Sequence, residues 1–341
     1  MNNDKLLQTG KIPAEILEQV VFHNLGKPRD EVVLAPGIGE DTAVIDLGSE
    51  MLLATTDPIT GAQGKAGWLA VKVSLNDIAA AGGEPVCILV TLLLPENTML
   101  SELSKIIDDI NEACLEEGVQ VAGGHTEVTP GLLQPIISVA ALGKTRGRRF
   151  LSSAGAKVGD DIVVTKWAGM EGTSILVRDF KEVFEGVLDS ASMEEAEDLF
   201  RMISVTRDGK IAAENDSNAC HDATEGGVLG AIFEICQASQ LGAIVYADDI
   251  PVLPVTMQVA RFCRIDPLKL VSSGCLVVTT PRGTDLCRAY EKVGINARIV
   301  GVVTSSEREI RRREGSAPLE PPGTDELWHA RTYLQSLIGK H

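Results

Sequence analysis

No apolar run in this 341-residue chain approaches the roughly 20 charge-free residues needed to cross a bilayer. The richest, VCILVTLLLP at 86–95, is long enough only for a buried strand or two. The opening MNNDKLLQTG has no apolar signal-peptide core, and Gly and Pro punctuate the chain without a low-complexity tract, so a cytoplasmic protein is expected. Seven cysteines, at 87, 114, 220, 236, 263, 275 and 287, include no CxxC and no zinc-finger spacing, which points to reduced, mostly buried thiols. Basic residues are few: 31 Lys and Arg against 48 Asp and Glu leave a net charge of −17. That field repels nucleic acid and anionic membranes, so neither is expected as a partner. The two basic clusters, Lys144–Arg149 and Arg308–Arg313, read as solvated faces on a loop or exposed edge.

Two common phosphate motifs are missing as well. A dinucleotide fingerprint would need a third glycine after Gly37 and Gly39, where Thr42 stands. Gly64-Lys65 looks like the end of a P-loop, but that motif needs glycine in place of Ile59 and Ser or Thr in place of Ala66.

What is present is PGIGEDTAVIDLG at 36–48, followed by LLATTDPITG at 52–61. Gly37 and Gly39 allow close backbone approach just before Glu40 and Asp41, and a β-patterned run leads to Asp57. Glycine turns bring N–H groups to phosphate, and carboxylates at strand ends hold the Mg²⁺ that accompanies it, so the stretch reads as half of a Mg-nucleotide site.

Periodicity predicts a helix over 13–24 and strands at 31–35, 42–47 and 51–56. A tightly packed helix follows from 67, ending at Gly82-Gly83, with Lys72 and Asn76 on one face and Asp77 beside them. A buried strand at 86–94 and a helix striped by Leu103, Ile106, Ile107, Ile110 and Cys114 come next. VQVAGGHTEVTPG then repeats the opening theme: a short strand ends at Gly123-Gly124, followed by His125, Thr126 and Glu127. The alternation is that of an α/β protein with mixed sheets, and the turn-rich SSAGAKVGDD suggests two domains, 1–150 and 151–341. In the second, Leu229, Ile232, Phe233 and Cys236 mark a helix with Asp222 or Thr224 at its entrance. Further strands are predicted at 243–247, 275–280 and 296–303, and a loop with a short closing helix after 315.

Five stretches in order, GIGEDTAVIDLG, LLATTD, GWLAVKVSLNDIAAAGGEP, VAGGHTEVTPG and HDATEGGVLGAIFEI, resemble the AIR synthase-related superfamily of ATP-dependent enzymes. Aminoimidazole ribonucleotide synthase, thiamine-monophosphate kinase, selenophosphate synthetase and HypE belong to it. The resemblance implies a two-domain fold whose N-terminal four-stranded sheet joins its twin in a homodimer as an eight-stranded barrel. It implies ATP and Mg²⁺ in a cleft lined by Asp41, Asp57 and Asp77, and transfer of a phosphoryl group to a small-molecule acceptor. HypE proteins end in Pro-Arg-Ile-Cys, whereas this sequence ends SLIGKH, which argues against cyanide-ligand chemistry. Thiamine-phosphate kinases carry SDISDG-like and GGED-like motifs where CHDATEGG and VSSGCLVV stand here.

Each candidate has a plainer reading. Asp41 and Asp57 can cap turns. An acid inside a small, apolar helix, as at Asp77, is normally exposed or paired. Asp222 with Glu225 has the spacing of a capping box. His125 can be a hydrogen-bonded strand-end residue rather than an acid/base, His221 carries less weight, and Lys11 and Lys72 can be exposed lysines instead of phosphate contacts. The leading expectation is a homodimeric Mg²⁺- and ATP-dependent enzyme closest to HypE and AIR synthase. Asp41, Asp57 and Asp77 hold the metal; Gly37, Gly39, Asp41, Lys72 and Asn76 line the nucleotide; His125, Glu127 and Asp222 face the acceptor. The rivals are a non-catalytic nucleotide-binding maturation partner and, more weakly, thiamine-monophosphate kinase itself.

Overall fold

A computed structural model describes residues 14–22, 25, 27–60 and 65–338. Lys11 and the ends of the helix expected over 13–24 lie outside them; 14–21 within it are helical. The described residues form two mixed sheets. β1 (Val32–Leu34), β2 (Ala43–Asp46), β3 (Met51–Ile59), β4 (Glu84–Leu94), β5 (Gln120–Val128) and β6 (Ile136–Lys144) make the first, in the order β1-β2-β3-β6-β4-β5. β7 (Asp161–Thr165), β8 (Ala219–Asp222), β9 (Gly242–Tyr246), β10 (Leu276–Thr280), β11 (Ala297–Thr304), β12 (Arg308–Arg312) and β13 (Gly315–Pro318) make the second, in the order β13-β12-β9-β11-β7-β10-β8. The β4–β5 and β9–β12 pairs are parallel, and the rest antiparallel.

Period-two alternation explains the first sheet. Ile88, Val90 and Leu92 of β4, with Ile137, Val139 and Ala141 of β6, turn one way into a core with Leu75 and Ile78 of the Ala66–Ala80 helix. That helix is buried on nearly every side, because it packs against the sheet, the Leu100–Glu117 helix and the Thr206–Glu214 helix of the other half. No helix among the described residues is long and apolar enough to cross a membrane.

Three local expectations change. β5 does not stop at Gly123-Gly124 but runs on through His125 and Glu127, paired with β4 along its length. Gly124 serves that pairing: a Cβ there would lie 2.0 Å from the Val90 carbonyl oxygen. The first sheet has six strands; the four-strand block β3-β6-β4-β5 is extended by β1 and β2. The basic cluster at 308–313 supplies β12 of a terminal hairpin, with Arg308 turned inward to donate to the Leu241 and Cys236 carbonyls.

The second core contains a misplaced charge. Glu171 is buried, and burial pushes its carboxyl up to about 7 although Ser273 donates to it; the charges of Asp325 and Glu225 add to the rise. A folded pKa above the unfolded value of 4.5 means the native state binds more protons between these two limits, so stability falls as pH rises from about 4.5 to about 7. Glu171→Gln is expected to abolish that slope, gaining about 3 kcal/mol over wild type above pH 7 and nothing near pH 4. Urea unfolding of both proteins at several pH values measures it; parallel pH curves contradict it.

Candidate active site

The loop before β2 reaches the second half of the chain. Gly39 has a φ of +75°, and a Cβ there would lie 3.0 Å from the Glu234 carbonyl oxygen in the Gly227–Ala238 helix. Glycine therefore lets the loop seat directly on that helix. Next to it, Glu40 accepts from Ser152 Oγ at 2.6 Å and from the Ala154 amide at 3.3 Å, tying the loop to the segment that joins the two sheets. Burial, outweighing these two bonds, raises the Glu40 pKa.

Asp41 is thereby delivered to the carboxyl end of β8, where His221 and Asp222 stand. One ligand atom each from Asp41, His221 and Asp222 lie within 4.8 Å of one another. From the first half, Asp77 of the Ala66–Ala80 helix is held by Thr55 of β3, whose Oγ1 donates to Oδ2 at 2.6 Å. Asp77 is buried, and its pKa is pushed well up, first by burial and then by the charges of Asp222, Asp57 and Asp41. Four carboxylates from four separate segments thus share one volume.

Among the described residues of this group, His221 is the one basic side chain. Its Nδ1 pairs with Asp41 and its Nε2 with Glu234 Oε2 at 2.8 Å. Burial acts to lower its pKa, but the carboxylates of Asp41 and Glu234 outweigh it and raise it well above the usual value. Held on both sides by carboxylates, the imidazole orients Asp41 from behind, as outer partners of metal-binding carboxylates do.

The donor set fits a hard divalent cation. Oxygen ligands suit Mg²⁺, and clustered carboxylates are mutually repulsive until such a charge offsets them. Asp57 Oδ2 is buried with no amide, hydroxyl or basic partner among the described residues, and the side chain its carboxyl meets is the acid Asp77, the crowding expected of oxygens that share an ion.

The structure brings together Gly39, Asp41, Asp57, Asp77 and Asp222, with Gly37 on the same loop. Asp222 does not open the helix as a capping residue: it is the last residue of β8, opposite Leu276 of β10, and the helix begins after Gly226. Lys72 is elsewhere occupied. It is buried over the Trp68 ring at 4.9 Å and paired with Glu116 at 2.8 Å and Glu117 at 2.5 Å. Asn76 is a staple between the halves, donating to the Ile203 carbonyl and accepting from the Val205 amide, each at 2.9 Å. His125 and Glu127 bond to each other at 3.0 Å on exposed β5, outside the acidic group. His125→Ala is accordingly expected to leave Mn²⁺ affinity within about twofold of wild type, as read by electron paramagnetic resonance titration. Glu234 is the residue that sequence reasoning missed. Its signal was present: a single acid inside the apolar run VLGAIFEIC, the same anomaly that singled out Asp77.

Comparison with known proteins places this geometry. Residues 39–145 match the model of the AIR synthase related protein N-terminal domain, and residues 157–313 the model of the corresponding C-terminal domain. A putative hydrogenase expression/formation protein of Methanocaldococcus jannaschii is 28% identical over 88% of this chain and 90% of its own length. The carbamoyl dehydratase HypE of Rhizobium leguminosarum bv. viciae is 27% identical over 79% of this chain and 78% of its own, and the selenide, water dikinase of Haemophilus influenzae 28% identical over 88% and 80%. Among solved structures, that of a HypE-HypF complex superposes with a TM-score of 0.73 at 22% identity, covering 90% of this chain and 99% of the other. That of AaThiL complexed with AMPPCP and TMP gives 0.71 at 22% identity, covering 85% and 92%.

Proposed function

This chain belongs to the AIR synthase-related family and is an enzyme of its ATP-dependent kind, and from that premise we propose that it uses Mg²⁺ and ATP to phosphorylate or activate a small-molecule acceptor. The observation that carries the reading is the convergence of Asp41, Asp57, Asp77 and Asp222 from both halves of the chain on one site. Bound there, Mg²⁺ would neutralise charge on the phosphates and stabilise charge on the transferring group.

The residues of the chain would supply position. Asp41, Asp57 and Asp77 hold the metal, and Asp222 stands where an acceptor meets the phosphoryl group. His221 and Glu234 keep Asp41 aimed, and the Gly37–Gly39 loop leaves its backbone open to phosphate. Little covalent work is asked of side chains in such a transfer, which agrees with a site built of carboxylates rather than a nucleophile. The reading includes a cytoplasmic homodimer joined through the first sheet, whose β5 is exposed along all nine residues. A second reading, a nucleotide-binding maturation partner, draws on the HypE-HypF complex, in which a similarly folded protein is held by another.

The test is phosphate release from ATP with Mg²⁺ in the presence of candidate acceptors, among them selenide, carbamoylated thiols and thiamine monophosphate. Turnover that depends on one acceptor and disappears in Asp57→Asn supports the enzyme. Nucleotide binding with no turnover on any acceptor, together with nucleotide-dependent capture of a defined maturation protein, supports the second reading.

A further inference from the structure

The Gly227–Ala238 helix is the frame of the acidic site: its Glu234 side chain grips His221, and its Glu234 backbone seats Gly39. What fixes this helix lies in the C-terminal arm, residues 319–338, a segment to which the site described above assigns no part. The helix starts from two residues in the left-handed region, Gly226 at φ 85° and Gly227 at φ 64°. Asp325, buried, spans this start. Its Oδ2 accepts from the Gly226 amide at 2.7 Å, while Oδ1 accepts from Leu327 at 2.7 Å and from Val271 at 3.2 Å. Three residues earlier Pro322 closes over the same turn: a Cβ at Gly226 would lie 2.7 Å from its Cβ. On the other side Gly227 is pressed against the 268–270 backbone, where a Cβ would lie 2.5 Å from the Leu268 oxygen. Thr224 O, two residues beyond Asp222, accepts from Gly227 and from Ser272.

We infer that Asp325 is a positioning residue of the acidic site, clamping the Gly226–Gly227 turn and so setting where the Gly227–Ala238 helix presents Glu234 to His221 and its backbone to Gly39. The inference rests on the metal-binding reading of that site. Because both oxygens of Asp325 accept from backbone N–H groups, an amide in its place must point its NH₂ at one of them, and the clamp opens. The remainder of the arm is anchored independently: Ala330 and Leu334 are fully buried, and Arg331 pairs with Asp179 at 2.8 Å.

This separation makes the test. In the full chain, Asp325→Asn is compared with Arg331→Ala, which loosens the arm without touching the turn, by Mn²⁺ titration under electron paramagnetic resonance and by thermal melting. Asp325→Asn is expected to bind Mn²⁺ about 5-fold or more weakly, less than the roughly 10-fold or more that follows loss of a direct outer partner, because Asp325 acts on the site through the helix. Arg331→Ala is expected to lower the melting temperature while keeping Mn²⁺ affinity within about twofold. Unchanged affinity in Asp325→Asn, or an equal loss in Arg331→Ala, overturns the assignment. Should Asp325→Asn not fold, Pro322→Ala takes its place: affinity several-fold weaker supports the clamp, and wild-type affinity overturns it. Wild-type protein that binds no Mn²⁺ refutes the underlying functional reading instead, an outcome distinct from either.

Discussion

Asp77→Asn is expected to lose ATP-dependent turnover by at least about 100-fold while melting at a higher temperature than wild type in metal-free buffer. The two effects have one cause. Asp77 is buried, and burial together with the charges of Asp222, Asp57 and Asp41 pushes its pKa well up. A raised folded pKa means that stability is lost as pH climbs past the unfolded value of 3.8, so the wild-type apoprotein carries this penalty at neutral pH. The amide removes a charge and still accepts from Thr55 Oγ1, so it relieves repulsion without leaving the hydroxyl unpaired. It also removes an anionic oxygen from the set that would bind Mg²⁺. Melting curves in chelator and turnover at saturating Mg²⁺ measure the pair; a variant that is both less stable and fully active contradicts the account.

Glu234→Ala acts in the opposite direction on stability. The side chain is buried and contacts the charged face of His221 at 2.8 Å, and removing one member of a buried ion pair leaves the other charge uncompensated. Such a loss destabilises by about 3–5 kcal/mol. Glu234→Gln, whose amide oxygen still accepts from Nε2, is expected to lose less than half as much. Metal affinity should fall in Glu234→Ala, where His221 keeps only its Asp41 partner, and fall less in Glu234→Gln, where Nε2 is still held. Denaturant unfolding tests this, and a change below about 1 kcal/mol in Glu234→Ala would show that His221 does not carry its charge in the folded state.

Much of the first half was legible. Acids following glycine turns or β-like runs marked Asp41 and Asp57, and an acid in an apolar helix marked Asp77; the structure gathers all three. The mixed α/β class followed from alternation of period-two and helical stretches. Side-chain parity separates His125 from the acidic group of its own chain. Asp57 shares its cross-strand row with Val139, Val90 and Gly124, so His125 belongs to the next row and the opposite face. One residue of register decides which face a strand side chain occupies, and glycine on a strand leaves no apolar alternation to read.

Helical spacing served Lys72 and Asn76 little better. They do lie on one side of the helix, but that helix is enclosed, so each meets a neighbour that sequence order does not reveal: Glu117 for Lys72, and the 203–205 backbone for Asn76. Asp222 was ambiguous because its spacing to Glu225 fits a capping box. Pairing of β8 with β10 took it into a strand, and Gly226-Gly227 moved the helix start downstream. The His221–Glu234 pair joins a strand to the second turn of the following helix, a contact made only when both pack.

The central claim is a metal-dependent nucleotide site shared by the two halves, and calorimetric titration with a non-hydrolysable ATP analogue, with and without Mg²⁺, tests it most directly. The account predicts saturable binding of one nucleotide per chain that requires Mg²⁺ and is lost in Asp57→Asn. Binding that ignores Mg²⁺ and survives that substitution, or no binding under either condition, would contradict it.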